Sequence, residues 1–326
     1  MKTIALFNGR GGAGKTLLAY HLAWMFHHVG LRVVVADLDP QADLTSAFLT
    51  DEQYTELYTA QPRQTILSAI EAASRDAHFE NPHIEDVEEI GLIPGDVTLA
   101  GWEDRFAHAW QACLDPDAAQ AADAFRLTTA IERALTNAGE ARNADVMLLD
   151  LASNLGAINR AALLTADAVI IPLATDIASR LALPTLGQKL TDWRQQWHVR
   201  RVGGHASCDS LPFGSMSTIG YVVVQHAAFP RVEDTHYSKQ LARIFREAFA
   251  NDILLADPDA SCLAWFRHVR GLLGLQRAAR KPMFDLKAAD GATGSYAIAT
   301  KDAYVAFEKL AREVAKRAGI ALPERD

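Results

Sequence analysis

The stretch Gly9-Arg10-Gly11-Gly12-Ala13-Gly14-Lys15-Thr16 constrains this chain more than any other. It matches the phosphate-binding pattern G-x-x-x-x-G-K-[ST]. The apolar run Thr3–Phe7 before it reads as a strand, and Lys15 to Val29 after it reads as a helix. That strand–loop–helix setting predicts a nucleoside triphosphate site. A triphosphate needs many donors close together, and glycines let backbone N–H groups approach it. Gly11, Gly12, Ala13 and Gly14 would line an anion nest, with the dipole of the following helix behind it. Lys15 is expected to bridge the β- and γ-phosphates, and Thr16 to offer its hydroxyl to Mg²⁺.

Beyond the loop, apolar runs alternate with helical patterns. Arg32–Asp37, Ile90–Ile93, Asp145–Asp150, Ala168–Pro172 and Ile219–Val224 read as strands, and their β-branched continuity fits burial on both faces. The pattern predicts an α/β fold: a mostly parallel twisted sheet between helical layers, with helical insertions. Helices are expected over Ala118–Ala138, over Ala178–Trp197 with Pro184 starting or kinking it, and over Lys301–Arg317. Residues 200–217 read as a loop. The 326 residues then form one domain with insertions at about 50–88 and 200–217.

Ligands of open α/β sheets sit at the carboxyl ends of the strands. Asp37, Asp39 and Asp150 fall there. Asp150 ends an apolar strand, the layout of an acid that orients Mg²⁺, and Asp39 is placed to position water or help hold the metal. The alternative for all three is capping of a following helix, most open for Asp37.

Composition bounds the rest. At 49% hydrophobic and 22% charged residues, with no apolar run of about 20, this is a soluble-type chain. It begins on a strand, so no signal peptide is expected. Cys113, Cys208 and Cys262 are isolated, which predicts neither a metal cluster nor disulfides and favours a reducing cytoplasm. The net charge of −8 argues against constitutive nucleic-acid binding, yet residues 194–281 carry 12 basic against 7 acidic side chains. Arg267, Arg270, Arg277, Arg280 and Lys281 form the best basic cluster, to be read as a phosphate-contacting face or as an ordinary solvated one. Trp193 and Trp197, four residues apart, are expected to pack in the core. His21, His27 and His28 read as polar residues around the first helix.

Taken together, the loop, Asp37-Leu38-Asp39-Pro40-Gln41-Ala42 and Asp150-Leu151-Ala152-Ser153-Asn154-Leu155-Gly156 resemble the ParA/MinD superfamily of deviant Walker A ATPases, and most closely its ParA branch. The resemblance implies a slow, partner-stimulated ATPase that forms a nucleotide-sandwich homodimer with ATP and Mg²⁺. It implies binding of nonspecific DNA or cargo and a cytoplasmic, nucleoid-associated location. By the same resemblance, Lys15 and Thr16 hold phosphate and metal, Asp39 activates water, Asp150 is the switch II acid, Leu17 follows the metal residue, and Gln225 reads adenine. The family's signature lysine is Arg10 here. Arginine is also cationic but planar and forked, so it either acts as a finger across the dimer or slows turnover. Ala152 and Ser153 replace the usual switch II prolines, which by composition loosens that loop. The mixed charges of Ala315–Asp326 argue against a membrane anchor. The phosphate loop begins at residue 9, so no separate DNA-reading domain is expected ahead of it.

Overall fold

The computed structural model describes the chain except residues 62, 76–78, 204–210, 225–230, 251–260, 267–269 and 324–326; of 231–235 and 270 only the backbone is described. Among the described residues, eight strands form one sheet: β1 (Lys2–Leu6), β2 (Val33–Leu38), β3 (Glu85–Val87), β4 (Ile90–Ile93), β5 (Val146–Leu151), β6 (Ala168–Ala174), β7 (Ser217–Val224) and β8 (Cys262–Phe266). Their order is β3-β4-β2-β5-β1-β6-β7-β8, parallel throughout except for the antiparallel β3–β4 pair. β1 sits inside the sheet between β5 and β6, so the loop leaving it opens over the middle of the carboxyl edge.

Alternation along the strands divides the core in two. Ala5 and Phe7, with Val34, Ala36 and Leu38, face one side; Ile4 and Leu6, with Val33 and Val35, face the other. The first face is covered by α4 (Ile66–Arg75), α5 (Glu103–Ala112), α6 (Ala118–Thr128), α7 (Ala130–Ala141), α8 (Ala157–Leu163), α9 (Ile177–Gly203) and α10 (Arg231–Ala248). The second is covered by α1 (Lys15–His28), α2 (Asp43–Phe48), α3 (Asp51–Thr59), α11 (Arg270–Ala279) and α12 (Ser295–Ala318). Both faces of the strands are therefore buried, which is why they read as unbroken apolar runs.

The expected strands are present, and the structure corrects several details. β3 and β8 were not expected. The expected helix over Ala118–Ala138 is two helices, because Thr129 leaves the helical region at φ −98° and ψ 5°. Pro184 lies inside α9 rather than starting it. That helix also absorbs residues 200–203, so the expected loop over 200–217 begins later, and Arg200 is buried with its guanidinium bonded to the Trp110 and Gln196 carbonyls. In β7 the pairing steps from Thr218 to Gly220, leaving Ile219 as a bulge; Gly220 takes φ +147°, and a Cβ there would meet the Ser261 carbonyl at 2.6 Å.

Trp193 and Trp197 are core residues, Trp193 against Phe7 and Trp197 stacked on Trp110. His21 is buried rather than peripheral. Its Nδ1–H donates to the Leu17 carbonyl, and its Nε2 accepts the Met283 N–H, tying α1 to the segment before α12. α12 buries Phe307, Leu310 and Val314 against the sheet, so its apolar face is already used. Among the described residues, no helix is long and apolar enough to cross a membrane.

Candidate nucleotide site

The loop between β1 and α1 is shaped by glycine. Gly14, at φ +87°, is the residue from which α1 starts, and it offers no side-chain cap. A Cβ there would press on Val224 Cγ2 at 3.0 Å, so both torsion and space require glycine. The first N–H groups of α1 consequently lack a side-chain cap, the condition that makes a helix start an anion site. Ala13 is buried beneath the loop and Leu17 is half-buried on α1. Gly11 faces Ser153, and Gly9 faces Leu155, both from the loop after β5.

Lys15 is the first residue of α1 and only 5% exposed. Its Nζ donates to Ser153 Oγ at 2.5 Å. Burial pulls its pKa below the usual lysine value, against the opposing charges of Asp150 and Asp39. Asp37 and Asp150 are register partners on β2 and β5, and both are fully buried. Asp37 is fully engaged: it accepts from Thr45 N at 2.8 Å, Thr45 Oγ1 at 2.7 Å and Asp39 N at 3.2 Å. Burial raises its pKa to about 7 even so. Asp150 has neither carboxylate oxygen hydrogen-bonded at ordinary geometry. Burial and then the Asp37 charge raise its pKa well above the carboxylate range, outweighing the Thr16 hydroxyl and Lys15. Asp39 lies past the end of β2 and accepts from Gln41 N.

Two orphaned, buried carboxylate oxygens beside a threonine hydroxyl and a lysine fit a divalent cation: the metal would supply the charge that Asp150 lacks. The structure thus brings Lys15, Thr16, Asp39 and Asp150 to one point on the sheet edge. Among the described residues no cluster of three or more His, Cys, Asp or Glu side chains is spaced to hold a metal.

The AAA-domain family model AAA_31 matches residues 1–198, more than half of the chain. The chain belongs to the ParA/MinD superfamily. It is 31% identical over 199 residues to Protein IncC of Escherichia coli, covering 60% of this chain and 47% of IncC. It is 27% identical over 224 residues to the sporulation initiation inhibitor protein Soj of Bacillus subtilis, covering 67% and 72%. The chain therefore spans about half of IncC and more of Soj. Among solved structures, a Corynebacterium diphtheriae protein superposes with a TM-score of 0.71 at 22% identity, covering 97% of this chain and 98% of that one. The ATP complex of a Cyanothece McdA variant superposes at 0.62 and 15% identity, over 100% and 99%. These likenesses establish the fold.

Against the ParA/MinD pattern, this chain's own departures gain a structural account. Arg10 Nη2 lies 3.7 Å from Asp176 Oδ2 within the same chain, with both side chains substantially exposed, and its N–H is held by Asn8 Oδ1. The loop after β5 lacks prolines but is pinned by side chains. Asn159 Nδ2 donates to the Ala152 and Asn154 carbonyls at 2.9 Å each. Glu103 of α5 accepts from Ala157 N and Ile158 N, capping α8, whose own first flank is Gly156. The loop expected to be loose is thus braced by Asn159 and Glu103. Sequence reading missed Glu103, which lies 54 residues away from Ala157 with no local signal.

The basic cluster is only partly paired within the chain. Arg280 donates to the Leu49 carbonyl and to Asp51 Oδ1 at 2.7 Å, and Lys281 pairs with Asp290 at 2.9 Å. These two charges are spent inside the chain, while Arg277 is exposed on α11. Arg267 and the Arg270 side chain lie outside the described residues, as does Gln225, the expected adenine reader.

Proposed function

We propose that this chain is a ParA-type switch that binds Mg²⁺–ATP between the β1–α1 loop and the ends of β2 and β5, pairs with a second copy, and hydrolyses ATP slowly to position DNA or cargo. The observation that carries this reading is Asp150: a fully buried carboxylate with no hydrogen bond at ordinary geometry, facing Lys15 and the Thr16 hydroxyl. The N–H groups of Gly11, Gly12, Ala13 and Gly14 cradle phosphate, and Lys15 neutralises it. Thr16 and Asp150 hold the metal, and Asp39 orients water. Bound metal supplies charge neutralisation at the phosphates. Arg10 completes the partner's site once released from Asp176. The names of the relatives support the partitioning role, since the Chromosome partitioning protein ParA of Caulobacter vibrioides is 26% identical over 175 residues. A stimulating partner protein and DNA belong to the same reading.

Phosphate release measured for wild type and Lys15→Ala, with and without DNA, tests it. Turnover lost in the variant is expected; equal background rates in both would remove the enzymatic role.

Arg10 favours a second reading, a nucleotide-holding scaffold that recruits a partner without turnover. Its guanidinium is engaged in cis by Asp176. Sizing in ATP and in ADP reports whether nucleotide drives pairing. A sharp rise in turnover for Arg10→Lys would favour the scaffold for the natural chain.

A further inference from the structure

Ser153 stands where the family carries a rigid proline, and its hydroxyl is the atom that holds Lys15. The 2.5 Å bond joins an almost wholly buried ammonium to an exposed residue at the tip of the loop after β5. The rest of that loop is fixed from behind. Asn159 pins the Ala152 and Asn154 carbonyls, the Asn154 side chain accepts the Gly156 N–H, and Glu103 caps α8. Ser153 is therefore a movable side chain on a braced backbone. It also faces the phosphate loop, its Oγ lying 3.9 Å from where a Gly11 Cβ would be.

An ammonium has three donors in tetrahedral arrangement, so two of its acceptors lie about 4.5 Å apart. Any phosphate oxygen that takes Lys15 then arrives about 4.5 Å from Ser153 Oγ, beyond hydrogen-bond reach, and a change of the Ser153 χ1 rotamer, which moves Oγ itself, has to close that gap before the hydroxyl donates to it. We propose that Ser153 is a positioning residue that distinguishes a nucleoside triphosphate from a diphosphate by exchanging Lys15 for the terminal phosphate. Without nucleotide, its hydroxyl accepts from Lys15. A diphosphate draws Lys15 away and leaves the hydroxyl without that bond. A triphosphate draws Lys15 away and gives the hydroxyl a charged acceptor in return. Because Ser153 and the bracing residues share one loop, the exchange also reports the terminal phosphate to α8. This inference rests on the nucleotide site proposed above.

The test is the dissociation constants of ADP and of a slowly hydrolysed ATP analogue, with Mg²⁺, for wild type, Ser153→Ala and Ser153→Thr. A hydrogen bond to a charged group predicts that Ser153→Ala lowers the preference for the triphosphate about tenfold, by tightening ADP, weakening the analogue, or both. Ser153→Thr, which keeps the hydroxyl, retains the wild-type preference. Both variants are expected to stay folded, with Ser153→Ala melting slightly lower because the buried Lys15 ammonium loses an acceptor. An unchanged preference in Ser153→Ala, or a parallel loss for both nucleotides, overturns the role of Ser153. Wild-type protein that binds neither nucleotide overturns the site itself.

Discussion

Two neighbouring strands end in aspartates that occupy the same level of the sheet edge, and they are treated in opposite ways. Asp37, at the end of β2, accepts three hydrogen bonds from Thr45 and Asp39. Two of them hold Thr45 near the start of α2, a helix whose own flanking residue, Ala42, cannot cap it. Asp150, its register partner on β5, accepts none at ordinary geometry. The helix after its loop, α8, takes its cap from Glu103 instead. Burial is equal, so burial alone does not identify a functional acid. What separates the two is satisfaction: Asp37 is consumed by the fold, and Asp150 is held unsatisfied at a cost that a ligand can relieve.

The largest expected break in that comparison comes from Asp37→Ala. It strands the Thr45 N–H and hydroxyl, and chemical denaturation should show a loss of about 3 kcal/mol. Acid provides the next, through another satisfied buried group. Burial keeps His21 neutral, lowering its pKa to about 4 against the bond to the Leu17 carbonyl, where the unfolded value is 6.5. The unfolded chain binds the extra proton first, so this contribution is whole above about pH 6.5 and is lost as pH falls towards 4. At pH 5 the loss is about 2 kcal/mol, and comparing the pH dependence of melting in wild type and His21→Gln should isolate it. The smallest effect has the opposite sign. Asp150→Asn removes the cost of ionising a buried acid beside Asp37, so nucleotide-free protein should gain up to about 1 kcal/mol at pH values where Asp150 is charged. Nucleotide binding by that variant should in turn lose its dependence on Mg²⁺, read by titration with and without chelator. A loss of stability comparable to that of Asp37→Ala would erase the distinction between the two acids.

This contrast also shows how far the sequence carries. Asp39, Asp150, Lys15 and Thr16 were legible because phosphate chemistry demands those residue types at a strand–loop–helix junction. The inner strands were legible because both of their faces are covered. Asp37 was not separable from Asp150, since its partner Thr45 becomes visible only when α2 folds back onto β2. Edge strands β3 and β8 were missed because, among the described residues, each pairs with a single strand. The basic cluster looked continuous in sequence, yet two of its five members, Arg280 and Lys281, meet Asp51 and Asp290 in space. The Lys15–Ser153 bond joins residues 138 positions apart, a distance no local pattern spans.

The interior place of β1 has a consequence for synthesis. Its strand neighbours begin at residues 146 and 168, so the first strand to leave the ribosome waits for nearly half of the chain before it can pair. β2 and β4, by contrast, are complete by residue 93. The phosphate loop, although encoded first, thus acquires its walls only once β5 is made, and a chain arrested before β5 carries the motif without the site.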